Sequence, residues 1–262
     1  MGSLKILFLG TGTSTGVPMI GCHCRVCSST DVRDNRLRTS ALISWQDGPI
    51  ERNVLIDAST DLRAQALRHG LERIDAVLFT HAHADHVHGI DELRSFNFIQ
   101  HEEIPCYGPP DTLEKLRRRF DYIFAETAYE GGGKPKLSLH PVEPPFELFG
   151  KTVEPLPVKH GSSDVFGYRF GPLAYVTDCN AIPPATMEKM RGLRLLVMGA
   201  VQRKPHSTHF GVDEAVAAIR SAGAKKGYLT HMNHDILHSE VSAALPSGVS
   251  LAYDGLIESV DE

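Results

Sequence analysis

Four histidines and an aspartate fall within eight residues of the stretch Leu78–Arg94, which reads "LFTHAHADHVHGIDELR". A buried imidazole needs a polar partner or suffers a desolvation penalty, so packing alone does not account for such a cluster. A group with several coordination positions does. In an extended segment residues two apart face the same way, so His81 and His83 can share one ion as the chain leaves a strand. Asp85 and His86 begin the following turn and helix, displaced enough to reach a second ion. Further metal-type residues stand where other apolar runs end: His160 after "LPVK", Asp178 after "AYVT" and His231 after "GYLT". Seven candidates exceed the three protein ligands plus water of a mononuclear catalytic zinc. Two ions roughly 3.5 to 4 Å apart, bridged by a carboxylate and a hydroxide, use them all.

A rigid sheet must hold such ligands in place, and short β-type runs recur along the chain. They begin at Leu4, Thr39, Asn53, Ile74, Ile104, Lys151, Gly167, Leu173, Leu193, Gly227 and Val249. Helical segments lie between several of them, the clearest being "TDLRAQALRHG", "DTLEKLRRRFDYIF", "GVDEAVAAIRSAG" and "HSEVSAAL". This alternation predicts an α/β class, with two sheets between outer helices. No internal repeat or low-complexity tract interrupts it, and "EGGGKPK" near Gly131 reads as a surface connection, so one domain over 1–262 is expected. The glycine-rich "FLGTGTSTGVP" lacks the Gly-Lys-Ser/Thr ending of a phosphate loop and reads as a tight, closely packed turn.

Composition bounds the function. The 262 residues are 42% hydrophobic and 23% charged with a net charge of -5, which fits an ample core and no general polyanion-binding surface. Arg117, Arg118 and Arg119 read as a solvated helix face. The N-terminal apolar run is too short for a membrane span and shows no cleavage site, so a cytoplasmic protein without membrane contact is expected. Five cysteines, three of them in "GCHCRVC", suit a metal in a reducing compartment better than a disulfide framework. Cys106 and Cys179 read as buried small residues, His69, His88, His101 and His140 as ordinary polar ones, and His238 has no assigned role.

The hexad His81-Ala-His83-Ala-Asp85-His86 resembles the H-x-H-x-D-H signature of the metallo-β-lactamase-fold hydrolases, a resemblance that spans nearly the whole chain. It implies a four-layer αββα sandwich. It also implies His81, His83 and His160 on one ion, Asp85, His86 and His231 on the other, and Asp178 as the bridge. Asp57 in "VLIDAS" then matches a carboxylate that orients a ligand histidine, although aspartate there also suits a helix cap. "GCHCRVC" resembles the cysteine loop of the phosphoribosyl cyclic phosphate phosphodiesterases of phosphonate breakdown. That resemblance implies a closed structural zinc on Cys22, Cys24, Cys27 and His234, with a small zinc-binding loop at 21–28; three free thiols are the plain alternative. In the same branch a catalytic histidine matches His209, with His206 as its competitor.

The expected function is a hydrolase of a small phosphodiester, a cyclic phosphate above all, working through a hydroxide that bridges two zinc or manganese ions. His209, Asp85 and Asp178 are the expected catalytic residues, with His209 protonating the leaving oxygen. Lys159, Arg203, Lys204 and His206 sit beside site residues and are candidate substrate contacts. Thioester or lactone hydrolysis, transfer-RNA end processing and a metal-binding or redox-sensing role without hydrolysis are the rivals. Nucleic acid is not an expected partner, because the chain shows neither a docking arm nor a basic surface. A homodimer is one assembly open to such a domain.

Overall fold

Side chains two apart on a strand share a face, and the strands of this protein bury both faces. In β1 (Ser3–Gly10), Leu4, Ile6 and Phe8 join one buried cluster while Leu9 joins another. The next strands repeat the division: Ile43 of β2 (Ser40–Asp47) and Ile56 of β3 (Ile50–Ile56) point with the first set, Leu42 and Leu55 with the second. A sheet buried on both faces needs cover on both sides. The structure is a computed structural model and describes residues 2–125, 133–142 and 145–262; Glu130, Gly131 and Gly132 of the expected surface connection lie outside the described residues.

Among the described residues each of two sheets has seven strands. The first runs in space as β14 (Ile257–Asp261), β1, β2, β3, β4 (Ala76–Leu78), β5 (Ile104–Gly108) and β6 (Leu137–Pro141). The second runs as β13 (Val249–Leu251), β12 (Lys226–Thr230), β11 (Leu195–Gly199), β10 (Leu173–Val176), β9 (Ser163–Phe170), β8 (Lys151–His160) and β7 (Phe146–Leu148). Each sheet is half antiparallel meander and half parallel, with β3 to β6 parallel in one and β10 to β13 parallel in the other. Crevices outside the carboxyl ends of parallel strands are where α/β sheets bind ligands.

Between the sheets lies a core that includes Phe8, Trp45, Tyr168, Phe170, Tyr175 and Tyr228. Buried tyrosines need a partner for the hydroxyl. Tyr168 donates to the Phe79 carbonyl at 2.7 Å and Tyr175 meets Thr39 at 3.0 Å, so two polar pins cross from one sheet to the other. Outside the first sheet pack α1 (Leu62–His69), α2 (Ala84–Val87), α3 (Leu93–Gln100), α4 (Pro110–Arg119) and α5 (Asp121–Phe124). The second is covered by α6 (Pro184–Lys189), α7 (Val212–Ala222) and α8 (His238–Ala244), giving helix, sheet, sheet and helix in layers.

The single helix expected over Asp111–Phe124 is broken at Phe120, whose φ of -118° and ψ of 45° leave the helical region. That break ends α4 at Arg119. The strands β6, β7 and β14 and the helices α3 and α6 were not among the expected elements. β6, β7 and β14 are short, and none shows the buried apolar run by which the other strands were read. In α3, exposed Phe98 and Ile99 blur the helical period of Leu93 and Phe96.

Candidate metal centre

Four of the candidate ligands, and Asp57 behind them, stand at or just beyond a strand end. Asp57 follows β3, His81 follows β4 after Phe79 and Thr80, His160 closes β8, Asp178 follows β10 after Thr177, and His231 follows β12. Three of these residues, Asp57, Asp178 and His231, hold left-handed backbone conformations with φ of 61°, 47° and 60°. Aspartate and histidine tolerate that region better than most residues, and surrounding structure must hold them there. His83 caps α2, whose first turn carries Asp85 and His86.

The donor atoms of His81, His83 and His160 lie within 4.8 Å of one another, as do those of Asp85, His86 and His231. Asp178 lies between the two groups. Its Oδ2 is 3.3 Å from His86 Nε2, and its Oδ1 is 3.3 Å from His231 Nε2 and 3.0 Å from His209 Nε2. Asp85 Oδ2 adds contacts of 3.3 Å to His86 and 3.5 Å to His231.

Hydrogen bonds behind the rings fix which nitrogen faces the centre. Asp57 receives the Thr80 amide and hydroxyl, each at 2.8 Å, and His86 Nδ1 at 2.7 Å. Those three donors complement a carboxylate, so His86 Nδ1 carries a proton and Nε2 points inward. The one hydroxyl hydrogen of Thr80 goes to Asp57, so Thr80 Oγ1 accepts from His81 Nδ1 at 3.0 Å. The Thr208 carbonyl can only accept, so His160 Nδ1 donates to it at 2.7 Å. In all three rings Nε2 is the nitrogen free to bind a cation.

Burial without partners then tests whether a metal fits. His81 Nε2, His86 Nε2 and both ring nitrogens of His231 are buried and make no hydrogen bond. Such orphans cost free energy unless their lone pairs meet a Lewis acid. Burial holds His81, His83 and His160 below the usual imidazole range, which favours the neutral, ligating form. Burial also opposes charge on His86, yet the carboxylates of Asp178, Asp57 and Asp85 overcome it and raise that imidazole well above its usual range. Among the described residues no lysine or arginine pairs with these three aspartates. The cluster therefore holds an excess of negative charge that divalent cations would balance, and its nitrogen and oxygen donors suit zinc or manganese.

A second cluster lies in the loop after β1. The sulfurs of Cys22, Cys24 and Cys27 stand 3.2, 3.5 and 3.6 Å from His234 Nδ1, a closed set of four soft and borderline donors with no disulfide among them. The Cys27 amide bonded to Cys24 Sγ pulls that thiol down to about 6, while burial pushes Cys27 up to about 11. The loop is stitched to the rest of the protein by Arg36, a fully buried residue that sequence alone did not single out. Its guanidinium pairs with Asp34 at 2.9 Å and donates to the carbonyls of Asn233 at 3.1 Å and Ile236 at 2.7 Å. The glycines of the preceding turn allow close approach: a Cβ at Gly10 would sit 2.0 Å from the Arg38 carbonyl.

Of the two candidate acids, His209 reaches Asp178, and His206 stands behind it with Nδ1 3.3 Å from His209 Nδ1. Asp57 does not cap α1, a position taken by Asp61. Of the expected substrate contacts, Lys159 pairs with Asp164 at 2.6 Å, Arg203 bonds Glu240 of α8, and Lys204 is exposed on the loop before α7. A cleft of about 160 Å³ opens beside His81, His83 and His160, lined also by Thr112, Lys115, Arg119 and Asp164. Arg119 therefore lies at this rim, where sequence alone placed it on a solvated helix face. Sequence also gave no role to the threonines that precede the ligands at 80, 177 and 230, although "TH", "TD" and "TH" at three strand ends was a legible signal.

Residues 52–232 match the family model described as a β-lactamase superfamily domain. A crystal structure described as a new diphosphatase from the PhnP family is 43% identical, with a TM-score of 0.91 over 99% of this chain and 98% of that one. The octanoyltransferase of Porphyromonas gingivalis is 40% identical over 263 residues, 99% of this chain and 52% of that protein. Coenzyme PQQ synthesis protein B of Methylobacterium nodulans is 31% identical over 170 residues, 60% of this chain and 53% of that protein. The chain spans about half the length of these two curated relatives.

Proposed function

Since the chain belongs to the metallo-β-lactamase superfamily, we propose that it is a two-metal hydrolase of small phosphodiesters, with a cyclic phosphate as the favoured substrate. The observation that carries this reading is Asp178, whose carboxylate lies within 4.8 Å of donor nitrogens of both ligand groups, His81 and His160 of one and His86 of the other, and 3.3 Å from His231. His81, His83 and His160 would hold one divalent ion, zinc or manganese, and Asp85, His86 and His231 the other. Asp85 and Asp178 supply the balancing charge. When bound, such ions lower the pKa of a water and neutralise phosphate oxygens. Behind them, Asp57, Thr80 and the Thr208 carbonyl orient His86, His81 and His160.

His209 is the proton donor to the leaving oxygen in this reading. Its Nε2 faces the centre, and its Nδ1 is bonded to Thr208 Oγ1 at 2.9 Å, which fixes the ring. Cys22, Cys24, Cys27 and His234 would hold a separate structural zinc that does no chemistry.

Phosphoester substrates are favoured because the whole-length relative at 43% identity is described as a diphosphatase. The octanoyl-transfer name belongs to a protein of which this chain matches about half. Covalent acyl transfer through a thiol finds no support here: Cys106 and Cys179 are buried, with their thiols pushed up by burial, and the other three cysteines form the loop cluster. The decisive assay offers metal-reconstituted protein a bis-nitrophenyl phosphodiester, a cyclic phosphodiester, a thioester and a lactone. Turnover of the phosphodiesters, lost on chelation and restored by zinc or manganese, is expected; faster thioester or lactone cleavage would overturn the reading.

A further inference from the structure

We propose that Asn180 is the positioning residue of His209, holding the loop that carries this histidine so that His209, and not His206, faces the candidate centre. This inference rests on the reading of His209 as the proton donor and extends it to the group that holds the donor in place. The chain between β11 and α7 carries both histidines without a helix or strand, and Ser207 within it is exposed. Such a loop moves unless other segments tie it down. The Phe210 amide reaches the Cys179 carbonyl at 2.7 Å, and the Thr208 carbonyl takes His160 Nδ1 at 2.7 Å. Ser207 is held by Asn180, whose Nδ2 donates to its carbonyl at 3.0 Å. Among the described residues, Asn180 is the one side chain outside the candidate ligands that reaches residues 207–210 from another segment.

The other end of the same amide is also engaged: Asn180 Oδ1 accepts the Gly161 amide at 2.9 Å. Gly161 follows His160, and Asn180 stands two residues past Asp178, so one side chain joins the segments that carry His160, Asp178 and His209. A backbone N–H can only donate and a carbonyl can only accept, so the position demands an acceptor and a donor on one short planar group. Asparagine offers both; an aspartate would keep the bond to Gly161 and turn an oxygen against the Ser207 carbonyl. The main chain of Asn180 is itself fixed, because its N–H donates to the Lys159 carbonyl at 2.8 Å and the Lys159 N–H to the Ala181 carbonyl at 2.9 Å. Turn and loop also pack closely: Gly161 has φ of 61°, and a Cβ there would sit 3.0 Å from Thr208 Cγ2. Thr208 Oγ1 in turn meets His209 Nδ1 at 2.9 Å, so a shift at Ser207 passes through one residue to the imidazole. Displacement of a reacting group by about 1 Å can cost a hundredfold in rate.

The test compares zinc-loaded wild type, Asn180→Asp, Asn180→Ala and His209→Ala on adenosine 2′,3′-cyclic phosphate, whose leaving group is an alkoxide, and on bis-nitrophenyl phosphate. Asn180→Asp should lower kcat on the cyclic substrate by about ten- to a hundredfold. Nitrophenyl turnover, zinc content and the thermal midpoint should stay close to those of the wild type, since one solvent-facing hydrogen bond adds little to stability. In the His209→Ala background the same change should cost about twofold or less, because the residue it serves is gone. A full further loss in that background overturns the proposal. So does equal slowing of both substrates by Asn180→Asp where His209→Ala is itself selective. A second readout needs no turnover: the ring ¹H–¹⁵N signals of His209 should shift or broaden in both Asn180 variants while those of His81 and His86 stay in place, and an unmoved His209 overturns the proposal. If His209→Ala slows both substrates alike, the proton-donor reading falls; if neither substrate is cleaved by the wild type, the phosphodiesterase reading falls. In either case the His209 signals decide the role of Asn180.

Discussion

Asp178 and His209 meet at 3.0 Å, but their expected roles differ and so do the losses expected on replacing them. Asp178→Ala should lower the metal content by at least one ion per chain and remove nearly all turnover; elemental analysis beside a rate measurement decides it, and full occupancy with a normal rate would reject the bridging role. His209→Ala should keep the fold and the metals. It should slow cleavage by about two to four orders of magnitude on a substrate with a poor alkoxide leaving group, and much less with nitrophenolate, which hardly needs a proton. Equal losses on the two substrates would point to positioning instead and bring His206 back as the acid. At this scale the clustering of the candidate ligands was legible because two-residue spacing along an extended chain puts His81 and His83 on one face. Thr208 and Arg119 were not, since each earns its place by proximity in space: Thr208 lies 48 residues from His160, and Arg119 lies 37 from Ala82.

The segment after β12 serves both candidate metal clusters, with His231 in one and His234 three residues later in the other. Arg36 clamps the carbonyls of Asn233 and Ile236 in the same stretch. Cys24→Ser should therefore reduce zinc content by about one ion and lower the thermal midpoint, because binding at a structural site is coupled to folding. Unchanged zinc stoichiometry would show the thiols to be free. At the start of α8, burial with Arg33 and Arg36 nearby pushes His238 down to about 4. Its unfolded value is near 6.5, so the unfolded chain binds more protons between those limits. The stability it contributes is complete above about pH 6.5 and is lost as the pH falls toward 4. Urea unfolding should show the wild type losing roughly 2 kcal/mol more than His238→Gln between pH 7 and 5; parallel curves would contradict this. Strand ends were readable from apolar runs followed by His or Asp. The break at Phe120 was not, because that residue closes an otherwise helical pattern whose charged side continues through Arg119.

At the scale of the molecule, two sheets pinned by Tyr168 and Tyr175 bring candidate ligands from four separate strand ends to one place. Chelation should consequently lower the thermal midpoint of the whole protein, and zinc or manganese should restore it; a chelator-insensitive midpoint would argue against metal at the centre. The layered architecture was legible from the alternation of strands and helices, while the pairing order of the sheets was not, because short strands such as β7 and β14 carry little apolar pattern. The left-handed backbone at Asp57, Asp178 and His231 has a consequence for mutational tolerance. At these positions the main chain already restricts the alphabet to glycine and a few small polar or imidazole residues. In a saturation scan, asparagine at 178 should leave a folded protein with an impaired centre, whereas valine or isoleucine should also cost stability. At these three positions the backbone itself thus vetoes most replacements, independently of the chemistry of the centre.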